Sequence, residues 1–159
     1  MRTIPLTKGK KALVDDCDYD YLMQWKWHAA VGGQYAARRQ RAECRAMVWM
    51  HRVVADRSGL ECGNLTIDHV DGNTRNNCRS NLRVATAAQN SANQRRRRDS
   101  ASGFKGVSWH KQLKKWRAYI GLQRRHQHLG LFEDPHDAAR AYNEAALKNF
   151  GEFACLNPV

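Results

Sequence analysis

The chain has no long apolar run, no closely spaced cysteine pair and few acidic residues, and each lack removes a class of function. Nothing in its 159 residues approaches the ~20 consecutive apolar residues of a membrane-spanning helix, so no membrane partner is expected. Met1-Arg2-Thr3-Ile4-Pro5 lacks the hydrophobic segment of a secretory signal, which sets the expectation of a cytoplasmic protein in a bacterial or phage-infected host cell. The five cysteines (Cys17, Cys44, Cys62, Cys78 and Cys155) are odd in number, widely spaced and without a Cys-x-x-Cys pair. That argues against a disulfide framework and against a zinc knuckle, and makes buried, reduced thiols the default. A zinc site assembled in space from Cys44, Cys62, Cys78 and a histidine stays open as the minor alternative.

Acids are outnumbered, 15 against 27 Lys and Arg, for a net charge of +12 and a pI near 9.9. So large an excess favours a polyanionic partner over a merely soluble surface. It is not a basic tail on a neutral body. Residues 1–90 hold 14 Lys and Arg against 9 Asp and Glu, residues 91–103 hold 4 against 1, and residues 104–159 hold 9 against 5.

The length suits one ordinary domain or two small ones. The obvious break is Gln94-Arg95-Arg96-Arg97-Arg98-Asp99-Ser100-Ala101-Ser102-Gly103, whose arginines and small polar residues cannot pack a core. It reads either as a solvated spacer or as a strap that orders on phosphate, and its basic flanks favour the strap. The domains expected are therefore 1–94, a linker over 95–102, and 103–159.

Before the linker, Lys11–Asp15 and Trp25–Val31 read as short strands, with a short helix over Asp16–Gln24 between them. Gly32-Gly33 is a hairpin turn into Gln34–Arg39. Met47–Asp56 has helical spacing, with Gly59 as its stop; His51 within it reads first as structural support. Leu65-Thr66-Ile67 reads as a strand, Leu82-Arg83-Val84 as a second, and Ala87–Gln94 as a helix. After the linker, Gly103–Trp109, Trp116–Leu122 and His126–Phe132 read as three strands. Asp134-Pro135 then opens an alanine-rich helix, Asp as its cap and Pro at its first position. The fold class expected is α+β: a small β-rich region leading into a strand–loop–strand–helix core, then a three-stranded antiparallel sheet packed on one helix.

The chemistry concentrates in Asp68-His69-Val70-Asp71-Gly72-Asn73, followed by Asn81-Leu82 and Asn90. An imidazole can take a proton from water near neutral pH. A carboxylate and an amide oxygen can hold a hard divalent cation against a phosphate. Asp71 is assigned to turn geometry; a calcium loop over Asp71–Asn77 lacks its terminal Glu. Arg75, Arg79 and Arg83 cluster in sequence around this motif. Solvation explains any one of them, and three together favour phosphate contact.

Asp68-His69, Asn81 and Asn90 resemble the HNH nucleases, whose core is the ββα-metal finger. The likeness is nearer to the intron- and phage-associated homing endonucleases, through Met50-His51-Arg52-Val53-Val54, the Asp-His-x-Asp-Gly-Asn turn, Asn81-Leu82-Arg83 and Gln89-Asn90 over residues 48–94. Ile4-Pro5-Leu6-Thr7-Lys8-Gly9 and Trp25-Lys26-Trp27 look like the lead-in common in that group. The resemblance implies His69 as general base, Asp68 and Asn90 as ligands of one Mg²⁺ or Mn²⁺, and Asn81 as the residue that braces the loop and orients His69. Asn90 stands where many members have His, and its amide oxygen favours Mg²⁺ or Mn²⁺ over zinc. One metal and one base serve one strand, so a monomer on double-stranded DNA is expected to nick.

Ser102-Gly103-Phe104-Lys105-Gly106-Val107, Trp116-Arg117-Ala118-Tyr119-Ile120, His128-Leu129-Gly130-Leu131-Phe132 and Ala138–Ala146 resemble the Apetala-2/ethylene-response-factor DNA-binding domain. In that family a three-stranded sheet enters the major groove and the helix packs behind it. The resemblance implies that Lys105, Ser108, His110, Arg117, Tyr119, Arg125 and His128 face DNA. Ser108 and His128 depart from the plant pattern, where arginine and tryptophan are usual, so the plant target does not transfer. Together with phosphate contacts from Arg95, Arg96, Arg97 and Arg98, these features make a site-directed, homing-type nicking endonuclease the leading reading. A non-catalytic DNA-binding regulator on a degenerate nuclease fold is the alternative, and an RNA-processing nuclease and a structural-zinc protein stand behind it.

Overall fold

The computed structural model describes residues 1–40, 46–95, 101–122 and 125–159. It divides into two units, Met1–Ala85 and Thr86–Val159, each a mixture of small antiparallel sheets and helices in keeping with an α+β class. The division falls between the second strand and the helix of the motif region, so that helix groups with the C-terminal elements. Among the described residues no helix is long and apolar enough to cross a membrane.

In the first unit β1 (Arg2–Pro5) and β2 (Lys11–Val14) form a hairpin that sends Ile4, Ala12 and Val14 into the core. β1 was not evident in the sequence, because only Ile4 of its four residues is buried. α1 (Asp16–Leu22) follows, two residues shorter at its end than its polar pattern suggests. The Trp27 indole donates to the Leu22 carbonyl at 2.8 Å, folding the chain back on the helix end. Trp25–Trp27 is therefore not strand, despite its alternation, and β3 begins only at His28 (His28–Ala30).

Gly32 and Gly33, at φ 65° and 84°, turn β3 into β4 (Tyr35–Arg39), with Ala30 opposite Tyr35. That left-handed backbone is where glycine alone is unstrained. β5 (Met47–Trp49) pairs with β4 through Ala37↔Trp49 and Arg39↔Met47. The helix expected from Met47 thus starts at Met50, as α2 (Met50–Arg57). Ladder pairing with β4 satisfies the backbone of 47–49, and this long-range gain outweighs the local helical period.

β6 (Thr66–His69) and β7 (Leu82–Ala85) close the unit as an antiparallel pair with Asp68 opposite Arg83 and His69 opposite Leu82. The core is built on Ile4, Val14, Leu22, Met50 and Val54, all at most 1% exposed. Burying each such side chain stabilises by about 1.5–3 kcal/mol relative to exposure.

In the second unit α3 (Ala87–Asn93) opens on a capping box. The Thr86 hydroxyl accepts from Gln89 N at 3.2 Å, and the Gln89 amide oxygen accepts from Thr86 N at 2.8 Å. β8 (Val107–His110), β9 (Lys115–Leu122) and β10 (Arg125–Phe132) form an antiparallel sheet in the order β10-β9-β8. α4 (Pro135–Phe150) is capped by Asp134, whose carboxylate accepts from His136 N at 2.6 Å. It buries Ala138, Ala139, Tyr142 and Ala146, and Val107, Ala118 and Ile120 of the sheet belong to the same cores. A Cβ on Gly106 would lie 2.1 Å from the Tyr142 ring, so the close approach of strand and helix requires glycine there.

Candidate active site

β6 carries Asp68 and His69 to the end of a strand where both are 4% exposed. Two strands and a loop decide what surrounds them. β2 ties down the following loop: Leu13 N donates to Arg75 O and Asn77 N donates to Leu13 O, each at 2.8 Å. That places the Asn77 side chain, 1% exposed, against the imidazole, with Oδ1 3.2 Å from His69 Nε2. The Asn77 amide nitrogen donates to Arg75 O at 3.3 Å and to Met50 Sδ at 3.4 Å. Its oxygen is therefore the atom facing His69, Nε2 carries the ring proton, and the imidazole lone pair sits on Nδ1.

Aromatic rings enclose the other side of His69. The His51 ring meets it edge to face at 5.3 Å, and Tyr35 lies 6.2 Å away. Trp49 stacks on His51 at 6.2 Å. His51 of α2 thus supports the imidazole by packing. Burial lowers the pKa of His69, with the Asn77 hydrogen bond and the fields of Asp71 and Asp68 only partly opposing it. Burial, then His69 and Arg52, lowers that of His51 to about 3. Both rings are neutral at pH 7, as a proton acceptor must be.

This has a consequence for stability. The unfolded chain protonates these histidines near pH 6.5, whereas folded His51 stays neutral down to about 3. Between those values the unfolded state binds more protons, so stability falls as pH drops through 6.5 and levels only near the folded pKa. Denaturant midpoints from pH 7 to 4.5 are expected to fall, by at most about 1.4 kcal/mol per pH unit for each such histidine. His51→Phe, which keeps a ring and removes a titration, is expected to flatten the slope; an unchanged slope would contradict the assignment.

Asn81 organises the loop. Its oxygen accepts from Asp71 N at 3.0 Å, and its amide donates to Asp71 Oδ1 at 2.9 Å and to Asn76 O at 2.8 Å. Asp71 completes the turn by accepting from Asn73 N at 2.7 Å and the Asn76 amide at 2.8 Å. Burial raises the Asp71 pKa, but the hydrogen bonds from Asn76, Asn73 and Asn81 hold it below the ordinary value. The imidazole itself is met by Asn77, which sequence reasoning left as one residue of a polar loop. Nothing in Asn76-Asn77 marks the second as buried; only the pairing with β2 does. Asn77→Ala is expected to cost about 1–3 kcal/mol through the unsatisfied imidazole N–H, and to slow cleavage. Urea denaturation and cleavage kinetics together test this, and wild-type values in both would refute it.

The three arginines of the motif have different neighbours. Arg83 Nε donates to Asp68 Oδ2 at 3.0 Å. Arg79 is committed to a buried partner, with Nε and Nη2 on the two oxygens of Asp18 at 2.7 and 2.8 Å. Asp18 is fully buried and also accepts from Arg57 at 2.9 Å. Arg79, then Arg57, hold its carboxyl below the usual range against the opposing effect of burial. Arg75 is half-buried, beside Asn73 and Leu13 along an open cavity.

The remaining candidates lie in the second unit. Asn90 is half-buried on α3, and among the described residues no protein group engages its carboxamide. Arg95 is exposed beyond that helix; Arg96, Arg97 and Arg98 lie outside the described residues. Lys105 does not face outward: its ammonium donates to Ala92 O at 2.5 Å and Gln94 O at 2.6 Å, capping α3, and burial lowers its pKa. Asn157, only 6% exposed, clasps the Lys105 backbone through Lys105 N at 2.6 Å and Lys105 O at 3.0 Å.

Register sorts the sheet candidates. Directly paired residues share a face, so Val107, Trp116, Ala118 and Ile120 take the helix side. Ser108, His110, Arg117, Tyr119 and His128 take the other. Arg117 reaches Ser108 Oγ at 3.4 Å, and Tyr119 meets His126 edge to face at 5.3 Å. Arg125 pairs with Leu122, which puts it on the helix side; His126, beside Gly121, takes the open-face position instead.

Residues 48–92 match the HNH endonuclease family model. The match begins in β5 and ends in α3, so it contains Asp68, His69, Asn77, Asn81 and Asn90. The chain is 27% identical over 152 residues to an uncharacterized HNH endonuclease of Acanthamoeba polyphaga mimivirus, covering 96% of this chain and 77% of that one. It is 43% identical over 54 residues to Protein 3.8 of Escherichia phage T7, covering 34% of this chain and 45% of that protein. The chain thus spans less than half of the phage protein. No solved structure matches.

HNH nucleases are in general dependent on a divalent metal. Among the described residues no group of three or more His, Cys, Asp and Glu comes together as a metal site. Cys44, one of the candidates for zinc, lies outside them. A hard cation held partly by substrate phosphate needs fewer protein ligands, and one carboxylate can suffice beside waters. The carboxylate of Asp68 is an oxygen donor of that kind.

Proposed function

We propose that the chain is a metal-dependent, site-directed DNA endonuclease of homing type, which nicks one strand as a monomer. The observation that carries this is His69: buried, neutral, and oriented through Nε2 by Asn77 inside the HNH-matched segment. In this reading Nδ1 takes the proton of the attacking water. Asp68 and Asn90 would hold Mg²⁺ or Mn²⁺, which would supply charge stabilisation to the phosphate and the leaving 3′ oxygen. Asn81 and Asp71 keep the loop closed, so that the imidazole does not swing away. Of the motif arginines, Arg75 would meet phosphate, since Arg79 is spent on Asp18 and Arg83 on Asp68.

The domain plan of 1–94, 95–102 and 103–159 belongs to the same proposal, with Arg95–Arg98 as the strap between a cutting and a holding module. The likeness of the second module to the Apetala-2/ethylene-response-factor domain is supported by its three antiparallel strands, its single packed helix and the polar open face. Ser108, His110, Arg117, Tyr119, His126 and His128 would meet the duplex there; Lys105 and Arg125 would not. Phosphate contacts supply affinity and base contacts the address.

One observation favours the binding-only regulator: Arg83 holds the carboxylate that the metal requires. Cleavage of a labelled duplex by the full chain, titrated with Mg²⁺, Mn²⁺ and chelator, decides between them. Metal-dependent product that Asp68→Ala abolishes is the expected result. DNA binding without product under either metal would leave the regulator.

A further inference from the structure

A cavity of about 570 Å³ in the first unit is lined by Gln24, Trp25, Lys26, Arg38 and Arg39. Its volume is that of a small-ligand site, and of its five described lining residues three are cations and none is an acid. Arg38 is held in place by aromatic faces, its guanidinium 4.5 Å from the Trp25 ring and 5.8 Å from that of Trp27. Trp27 is itself fixed by its bond to the Leu22 carbonyl. Yet Arg38 Nε is buried and has no hydrogen-bond partner among the described residues. A buried N–H without an acceptor is rare in native proteins and asks for an absent one.

Nε and a terminal nitrogen together form the edge of a guanidinium that engages two oxygens of one anion. Lys26 and Arg39 stand exposed at the same cavity. Among the described residues the ion pairs of this unit involve Met1, Arg2, Arg57, Arg79 and Arg83, and none of them reaches Lys26, Arg38 or Arg39. Strand β4 connects this cavity to the candidate active site. Tyr35, at its start, lies 6.2 Å from His69, and Arg39 follows on the same strand face. Arg38 is three residues beyond Tyr35, about 10 Å along the strand. Each DNA strand carries a phosphate for about every 3.4 Å of helix axis, so a duplex engaged at His69 has phosphates at that range.

We propose that Trp25, Lys26, Arg38 and Arg39 form a second phosphate site, which grips the DNA backbone a few nucleotides from the scissile bond. Arg38 supplies the two-pronged contact, the tryptophans fix its plane, and Lys26 and Arg39 neutralise the flanking charge. The site rests on the nuclease reading and adds to it a contact outside the HNH-matched segment.

The test is binding of a labelled duplex by the full chain, followed by anisotropy between about 50 and 200 mM salt. Lys26→Ala and Arg39→Ala, both at exposed positions, are each expected to reduce the salt slope by about one. Arg38→Lys keeps the charge and loses the fork, so the slope stays and affinity falls about tenfold. Wild-type slope and affinity throughout would overturn the site and leave the nuclease reading intact. A wild-type chain that does not bind DNA would remove both.

Discussion

His69→Ala is expected to lower the cleavage rate by about 10²–10⁴-fold, the usual contribution of a positioned general base, while DNA affinity stays at the wild-type value. The reason is geometric before it is electrostatic. Asn77 accepts a hydrogen bond from Nε2, the His51 and Tyr35 rings fix the plane, and burial keeps the imidazole neutral at pH 7. Single-turnover cleavage beside equilibrium binding separates the two effects. Equal loss of binding and cleavage would mean that His69 is a structural residue. Full activity in the variant would remove it from the chemistry altogether.

The second large effect is on stability and lies far from the motif in sequence. Asp18→Ala is expected to cost about 3 kcal/mol, the lower end of the range for breaking a buried ion pair, because its arginine partners are partly solvated. Asp18 is wholly buried, whereas the Arg57 and Arg79 side chains are 33% and 36% exposed. Its removal strands both cations and frees the turn at Arg79–Asn81, which Asp15 otherwise also holds by accepting from Arg79 N at 2.7 Å. Cleavage should fall with stability, since Asn81 closes the loop from that turn. Asp20→Ala is the control: Asp20 is exposed and, among the described residues, pairs only with the exposed Arg2, so it should change little. Urea denaturation of the two variants checks this, and equal midpoints would contradict it.

Several elements were legible because local signals and long-range packing agree in them. Gly32-Gly33 imposes a turn, Thr86 and Gln89 cap each other, and Asp134-Pro135 starts α4 where the sequence places it. The failures are places where a distant partner decides. The alternation Trp25-Lys26-Trp27 is strand-like, but the Trp27 indole is claimed by the end of α1. The helical spacing from Met47 yields to ladder pairing with β4 until Met50.

The candidate site follows the same rule. Asp68 and His69 stand out by residue type and spacing, yet the residue that meets the imidazole, Asn77, is one of four asparagines between positions 73 and 81. Its selection depends on a bridge from Leu13, more than sixty residues earlier. A basic residue carries no mark of whether it faces DNA or the protein. Arg79 and Lys105 both turn inward, to Asp18 and to the end of α3. A one-residue step in register puts His126, not Arg125, on the open sheet face.

The most direct measurement is incubation of supercoiled plasmid bearing candidate target DNA with the full chain and Mg²⁺ or Mn²⁺, resolved by topological form. The account predicts open circles that accumulate with metal, vanish with chelator and are absent for His69→Ala. Plasmid that is shifted but stays supercoiled under both metals would contradict it.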